Sequence, residues 1–173
     1  MGKNSGMTLG ELNSLPQEKV FPELLKCCGA KTLVAPLIER RPFQTVDELF
    51  QAADTLWQGL SPEDWMEAFA HHPKIGDLDS LRDRFATTAT WAQGEQAGVA
   101  TATENVLTEL ADGNRRYEEK FGYIFIVCAT GKRAEEMLSL LRERLKNNPD
   151  EELLIAAEEQ RKITRIRLEK LLS

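Results

Sequence analysis

The two histidines of the chain, His71 and His72, stand side by side directly before Pro73. A proline disfavours helical backbone in the residue before it, so we expect His72 in an extended turn where a helix ends. An imidazole titrates near neutral pH, and one held rigidly in such a turn is suited to proton transfer or ligand binding. The structural alternative is that the His-Pro pair only closes the helix and that the imidazoles cap its last carbonyls.

A carboxylate and an amide, Glu95 and Gln96, lie between Gly94 and Gly98 in an otherwise helical stretch. Two glycines four residues apart share a helix face and cost about 1 kcal/mol each relative to alanine. They allow a ligand or another backbone to come close. The pattern therefore favours either a pocket wall that presents Glu95 and Gln96 or a tight helix contact with both side chains in water.

An arginine interrupts the apolar face of the last predicted helix. The residues that share this face at steps of three and four are Leu153, Ala156, Gln160, Ile163, Arg167 and Leu171. An inward arginine needs an anion or carbonyl groups for its five N–H donors. Arg167 is therefore either part of a structural salt bridge or a bidentate donor for a substrate carboxylate.

Residues 123–129, Tyr-Ile-Phe-Ile-Val-Cys-Ala, form the one run whose composition is typical of a strand. A lone strand has no ladder partner, yet its buried main-chain groups need hydrogen bonds. If this segment is extended, those groups could meet a polar ligand. The alternative is a short helix or a buried coil within the core.

The rest of the chain predicts helices joined by short loops. Thr8 and Glu11 have the spacing of a capping box, and Ser61-Pro62 followed by acidic residues is a strong helix start. Thr130 and Asp150 are the predicted caps of the last two helices. The predicted fold is all-α: a single-domain bundle of about eight helices over 8–173, with one short extended apolar segment near 123–129. Residues 1–7 are expected to be a disordered leader or an expression remnant.

Composition narrows the class of protein. The 173 residues are 42% hydrophobic and 29% charged, which is typical of a globular domain without a membrane span. The net charge of -6 argues against nucleic-acid binding. The three cysteines, Cys27, Cys28 and Cys128, fit neither a disulfide framework nor a zinc site, and reduced thiols indicate the cytoplasm. No secretory signal is recognised.

With these motifs in view, the chain resembles the 2-oxo-4-hydroxy-4-carboxy-5-ureidoimidazoline (OHCU) decarboxylases, which produce (S)-allantoin at the end of urate degradation. The resemblance runs from about Leu9 to Leu171. It rests on the motifs 72–77 (HPKIGD), 95–98 (EQAG), 114–122 with Asn114, Tyr117 and Lys120-Phe121-Gly122, and 163–168 (ITRIRL). Each motif is weak alone, whereas the ordered set is specific.

The resemblance implies an all-helical carboxy-lyase without cofactor or metal, often a homodimer, acting on a small ureidoimidazoline. It implies that His72 and Glu95 are catalytic. The implied substrate-binding residues are Pro73, Gln96, Arg167 and main-chain groups near Ile124 and Ile126. One departure is Ala92, where relatives often have a serine, so one hydrogen bond to the substrate is in doubt.

Two other classes compete with this interpretation. A non-enzymatic helical interaction module would use His72 as a cap and Arg167 in a core ion pair. A hydrolase of a related ureide would need an activated water and a metal, for which the chain has few soft ligands.

Overall fold

The computed structural model describes residues 6–72, 78–84 and 97–172. Within these ranges the chain forms helices and no strand, which confirms the predicted all-α class. The helices are α1 (Leu9–Ser14), α2 (Gln17–Cys28), α3 (Lys31–Glu39), α4 (Val46–Gln58), α5 (Pro62–Ala70), α6 (Leu78–Arg84), α7 (Ala97–Phe121), α8 (Ala134–Leu145) and α9 (Pro149–Leu171).

The chain divides into two compact units. The first unit comprises residues up to His72 together with residues from Ile155 onward, and so contains α1–α5 and most of α9. The second unit, Pro73–Leu154, contains α6, α7, α8 and the start of α9. That residues 8–173 form one domain stays a prediction.

Local signals set the helix starts of the first unit. The Thr8 hydroxyl accepts from the Glu11 N–H at 3.1 Å, and the Glu11 carboxylate accepts from the Thr8 N–H, so the predicted capping box is present. Ser61 and Asp64 form the same reciprocal pair at the start of α5. These caps satisfy N–H groups that have no partner inside the helix.

The first unit is held by one apolar core. Its fully or nearly buried members come from α1–α4, the loop after α3 and α9: Leu12, Val20, Leu24, Cys27, Val34, Leu37, Ile38, Phe43, Leu49, Phe50, Ala53 and Leu168. Burying a side chain of this size contributes about 1.5–3 kcal/mol, so this core fixes α9 against the shorter helices of its unit.

The second unit is built on the packing of α7 against α8. A Cβ atom added to Gly113 would lie 2.5 Å from Leu141 Cδ2, so a larger residue there would have to displace the buried Leu141 side chain. Residues 124–129 are neither helix nor strand. In agreement with the predicted extended segment, every second side chain packs against the core of this unit: Tyr123, Phe125, Val127 and Ala129.

Two predicted caps are wrong. α8 begins at Ala134 with Arg133 before it, so Thr130 is too far upstream to cap it. α9 begins at Pro149, and the Asn148 side chain, not Asp150, accepts from the Glu151 N–H at 2.9 Å. A proline fits the first helical position because its missing N–H would have had no partner there, which moves the cap to the residue before it.

Within the described residues, every helix is too short or too polar to span a lipid bilayer.

Candidate active site

The His72 side chain lies at the end of α5 and faces α9. The helix ends there: His71 is the C-cap of α5, and the His72 N–H donates to the Phe69 carbonyl at 3.3 Å. The imidazole Nε2 lies 2.5 Å from Oε1 of Gln160, a residue with no solvent exposure. The imidazole is thus held by a specific side chain rather than being a solvated cap.

Gln160 is itself held by a second hydrogen bond. Its Nε2 donates to the Thr164 hydroxyl at 3.1 Å, one helical turn further along α9. Burial raises the pKa of the thiol of Cys28, the last residue of α2, to about 11, and the nearby Thr164 side chain opposes this shift. A row of polar groups therefore runs from His72 into the interior of the first unit.

Arg167 lies on the other side of the imidazole. Its Nη2 is 3.4 Å from His72 Nδ1, and its Nη1 is 3.5 Å from the Lys26 carbonyl. Among the described residues no carboxylate forms an ion pair with this guanidinium. With two long contacts to the described residues, this half-buried arginine has further N–H donors that could bind an anion.

The surroundings of His72 favour its neutral form. Burial lowers the pKa of His72 below its usual value of 6.5, the hydrogen bond with Gln160 opposes this shift, and the nearby Arg167 and His71 add to it. At neutral pH the imidazole is therefore uncharged next to a permanent cation.

Gly29 determines how close the end of α5 comes to the end of α2. Its φ of 83° is in the left-handed region, and a Cβ atom there would lie 2.6 Å from His71 Cβ. Glu67 of α5 adds a second link, because its carboxylate accepts from the Lys31 N–H at 3.2 Å at the uncapped start of α3. These contacts set the position of the His71-His72 turn.

The helix that carries Gln160 and Arg167 is anchored by its neighbour α4. The Trp57 indole N–H donates to the Ala157 carbonyl at 2.9 Å, and the Arg161 guanidinium lies 3.4 Å from Asp54. Both contacts lie within one turn of Gln160, so they fix its height along α9 relative to the rest of the first unit.

A different arginine organises the second unit. The Arg144 guanidinium, 6% exposed, pairs with the fully buried carboxylate of Glu152 and donates to the Ile126 carbonyl and, at 3.3 Å, to the Tyr117 hydroxyl. Tyr117 donates in turn to Glu152 at 2.8 Å. The Arg144 group also lies 4.7 Å from the ring centre of Phe125. This cluster holds residues 124–129 in place.

Comparison with known proteins identifies the family. Residues 13–169 match the family model described as OHCU decarboxylase. The chain belongs to the OHCU decarboxylase family. It is 39% identical over 149 residues to the uric acid degradation bifunctional protein TTL of Arabidopsis thaliana, covering 85% of this chain and 45% of that protein.

Two further OHCU decarboxylases are similar over nearly their whole length. That of Amia calva is 28% identical over 166 residues, covering 94% of this chain and 93% of the relative. The crystal structure of an OHCU decarboxylase in the presence of (S)-allantoin superposes with a TM-score of 0.69 at 37% identity, covering 87% of this chain and 96% of that one. By contrast, the chain spans 45% of the length of the bifunctional protein TTL and 32% of that of the uric acid degradation bifunctional protein of Bacillus sp. (strain TB-90), less than half of each.

Of the site residues that the family resemblance implied, the first unit brings His72 and Arg167 together, although they lie 95 positions apart in the chain. Ile124 and Ile126 belong to the second unit, and the Ile126 carbonyl is bound by Arg144. Pro73, Glu95 and Gln96 lie outside the described residues, as does Ala92. Their roles stay predictions.

Two residues of the site were not singled out from the sequence, namely Gln160 and Thr164. A signal for Gln160 exists: it is a polar residue on the same apolar face as Arg167, two turns earlier on the helix. Thr164 gives no such signal. In the described ranges no group of three or more His, Cys, Asp or Glu side chains is arranged to hold a metal ion.

Proposed function

We propose that this chain is a cofactor-independent carboxy-lyase that converts OHCU to (S)-allantoin in urate degradation. The observation that carries the proposal is the placement of an uncharged imidazole, His72, within 3.4 Å of a guanidinium, Arg167, that has no carboxylate partner among the described residues. Such a pair offers one group that can accept a proton and one that can bind an anion. Membership of the OHCU decarboxylase family and the activities for which the similar proteins are named support the same assignment.

The substrate supplies its own electron sink. When CO2 leaves, the pair of electrons from the broken bond forms a C4=C5 double bond and displaces the C5=N pair onto the ring nitrogen, which takes a proton from solvent. The result is an enol with a hydroxyl on C4. Moving the hydroxyl proton to C5 produces the C4 carbonyl and the C5 stereocentre of allantoin. The protein needs only to orient the carboxylate, stabilise the developing charge and direct that proton to one face.

His72 is the proton-transfer group in this proposal. Because its pKa lies below 6.5, the imidazole is neutral at pH 7 and can take the hydroxyl proton before it returns a proton to C5. A permanently protonated histidine could perform only the second half of this transfer. Delivery from a fixed ring would produce one enantiomer of allantoin.

Arg167 binds the substrate in this proposal. Its N–H donors that have no partner among the described residues can form a bidentate pair with the carboxylate or with ring oxygens, and a hydrogen bond to a charged group contributes about 1.5–3 kcal/mol. Since the same guanidinium lies beside His72 Nδ1, an anion held by Arg167 comes close to the imidazole.

The remaining predicted residues complete the proposal on the strength of the family resemblance. Glu95 would set the charge of His72 or the orientation of the ureido group, and Gln96 would hold the ureido and ring groups. Pro73 would contact the substrate next to His72, and the main chain at Ile124 and Ile126 would contact the ring.

The non-enzymatic alternative has less support in the described residues. That interpretation placed Arg167 in a core ion pair, whereas the ion pairs of α9 described in the first unit involve other residues: Arg161, Lys162 and Arg165.

Location and assembly belong to the same proposal. Three free cysteines, two of them buried, are compatible with the reducing cytoplasm. A homodimer is proposed from the family resemblance alone, and the molar mass in solution, measured by light scattering, tests it.

The deciding experiment generates the unstable substrate in situ from urate and follows the optical activity of the allantoin formed. We expect an excess of the (S) enantiomer that grows with enzyme concentration above the racemic background of the spontaneous reaction. The matched control is His72→Asn, which keeps a polar side chain but cannot transfer a proton. Racemic allantoin at every concentration of wild-type enzyme would contradict the proposed function.

A further inference from the structure

The hydrogen bonds around His72 run in one direction, each group donating to the next. Arginine has only N–H donors, so the contact between Arg167 Nη2 and His72 Nδ1 requires a lone pair on Nδ1. In a neutral imidazole the other nitrogen, Nε2, then carries the hydrogen. That Nε2–H points at the Gln160 side chain, at 2.5 Å, and must find an acceptor there.

The hydrogen bonds beyond Gln160 are compatible with this direction. Gln160 can accept from Nε2 only with its oxygen, so its NH2 group must face the other way, toward the Thr164 hydroxyl at 3.1 Å. Thr164 accepts this hydrogen bond and can use its own hydrogen for the Cys28 thiol. Gln160 is fully buried, so no water competes for either end of its amide.

We propose that Gln160, oriented by Thr164, is a positioning residue that keeps His72 in the Nε2–H tautomer and leaves Nδ1 as the nitrogen that exchanges a proton with the substrate. The part that concerns the substrate rests on the proposed function. The part that concerns the tautomer does not. Without Gln160 the imidazole could rotate or change tautomer and present an N–H where the reaction needs a lone pair.

The arrangement links proton uptake to anion binding. A proton on Nδ1 would face the N–H donors of Arg167, and the two positive groups would repel each other. A substrate carboxylate that draws the guanidinium to itself removes this conflict. Among the described residues, the ionisable groups near the imidazole are Arg167 on α9, His71 at the end of α5 and, beyond Thr164, the Cys28 thiol at the end of α2. Arg167 stays charged throughout the neutral range.

The tautomer can be read by nitrogen NMR of the full-length protein without any substrate. The chain has only two histidines, so a His71→Gln variant assigns the ring signals of His72. At a pH well above 6.5 we expect the Nδ1 shift of an unprotonated ring nitrogen and the Nε2 shift of a protonated one. In Gln160→Met, which has a similar volume but no acceptor oxygen, the two shifts should move toward each other as the tautomers mix.

The kinetic test uses the same variant. Gln160→Met should lower kcat by about tenfold, part of the 10²–10⁴ that acid–base assistance supplies, with little change in KM because Arg167 remains. Thr164→Val should lower kcat as well, and Thr164→Ser, which keeps the hydroxyl, should lower it less. Gln51→Met, on the exposed side of α4, controls for the substitution itself.

The outcomes separate the two proposals. A protonated Nδ1 in the wild-type protein, His72 signals unchanged in Gln160→Met, or an unchanged kcat in a folded Gln160→Met enzyme would each overturn the positioning role. A wild-type protein with the expected tautomer that produces only racemic allantoin would instead refute the proposed function, and with it the substrate part of this inference.

Discussion

The two units each contain an arginine on the inner side of a helix, and the two arginines differ in their exposure and in their hydrogen-bond partners. Arg144 in the second unit is 6% exposed and uses its donors on Glu152, Tyr117 and the Ile126 carbonyl. Arg167 in the first unit is half-buried and makes two contacts with the described residues, both of 3.4 Å or more. Within this part of the chain, the Arg144 guanidinium has its partners in place, and the Arg167 guanidinium has N–H donors to spare.

The difference shows how to distinguish a structural cation from a binding cation. A buried charge without a partner costs several kcal/mol, so a structural arginine is expected to have its counterion and carbonyls in place. A binding arginine must stay accessible and incompletely paired, because its last partner is the substrate. By this criterion the Arg144 cluster supports residues 124–129, and the Arg167 cluster is the candidate active site.

The largest expected effect concerns the Arg167 cluster, which contains His72. His72→Asn should lower kcat by about 10²–10⁴-fold, because the group that transfers the proton is lost. The free energy of unfolding should change by only about 1 kcal/mol, typical of a single substitution. Steady-state kinetics on substrate generated in situ and urea denaturation measure the two quantities. Near-normal turnover in the variant would remove His72 from the mechanism.

Breaking the Arg144 cluster should lower the free energy of unfolding. Glu152→Leu leaves the Arg144 charge buried without its partner, so we expect a loss of about 3–5 kcal/mol in the free energy of unfolding, measured by urea denaturation.

Two controls sharpen this test. The double variant Arg144→Met with Glu152→Leu should recover much of the loss, because neither charge is then buried. Glu109→Gln, which breaks the exposed pair with Arg142, should cost about 0–1 kcal/mol. Equal losses in Glu152→Leu and Glu109→Gln would show that the Arg144 cluster is not structural.

A smaller effect is expected on substrate binding. Arg167→Gln should raise KM by about tenfold to a hundredfold, since each charged hydrogen bond contributes about 1.5–3 kcal/mol and 1.4 kcal/mol is tenfold in affinity. Arg167→Lys should lie between the variant and the wild type because it keeps the charge without the two parallel donors. Unchanged KM and kcat in Arg167→Gln would show that this guanidinium is not part of the site.

The smallest effect is a dependence on pH. The pKa of His72 is lower in the folded protein than its usual 6.5, so the unfolded chain binds more protons in the interval between the two values. Stability should therefore fall as the pH drops through 6.5 and level off below the folded pKa.

The same titration should give kcat/KM an acidic limb that begins below 6.5, because the free enzyme needs the neutral imidazole. The stability prediction is tested by urea denaturation at a series of pH values for wild type and His72→Asn, which isolates the contribution of this imidazole. The activity prediction is tested by the pH profile of kcat/KM. A limb centred above 6.5 would contradict the assigned charge state.

Much of the local structure is predictable because its causes are local. The capping pairs at Thr8 and Ser61 and the stop at Gly29 act within a few residues, and the structure contains all three. The errors at Thr130 and Asp150 are also local: each position offers a capping side chain, but the helix begins where the following turn permits, which composition does not specify. The packing of every second side chain of 123–129 on the core of the second unit follows from an extended backbone alone.

The composition and motifs of this sequence determined its all-α class, its family and the identity of His72 and Arg167 as candidate groups. Only the tertiary structure decided that these two side chains meet, that Gln160 holds the imidazole, and that, among the described residues, Arg144 has a carboxylate partner and Arg167 has none. The physical reason is distance along the chain. Helix caps depend on neighbours three residues away, whereas the contacts of His72 with Gln160 and Arg167 span 88 and 95 positions and arise only from the packing of α9 in its unit.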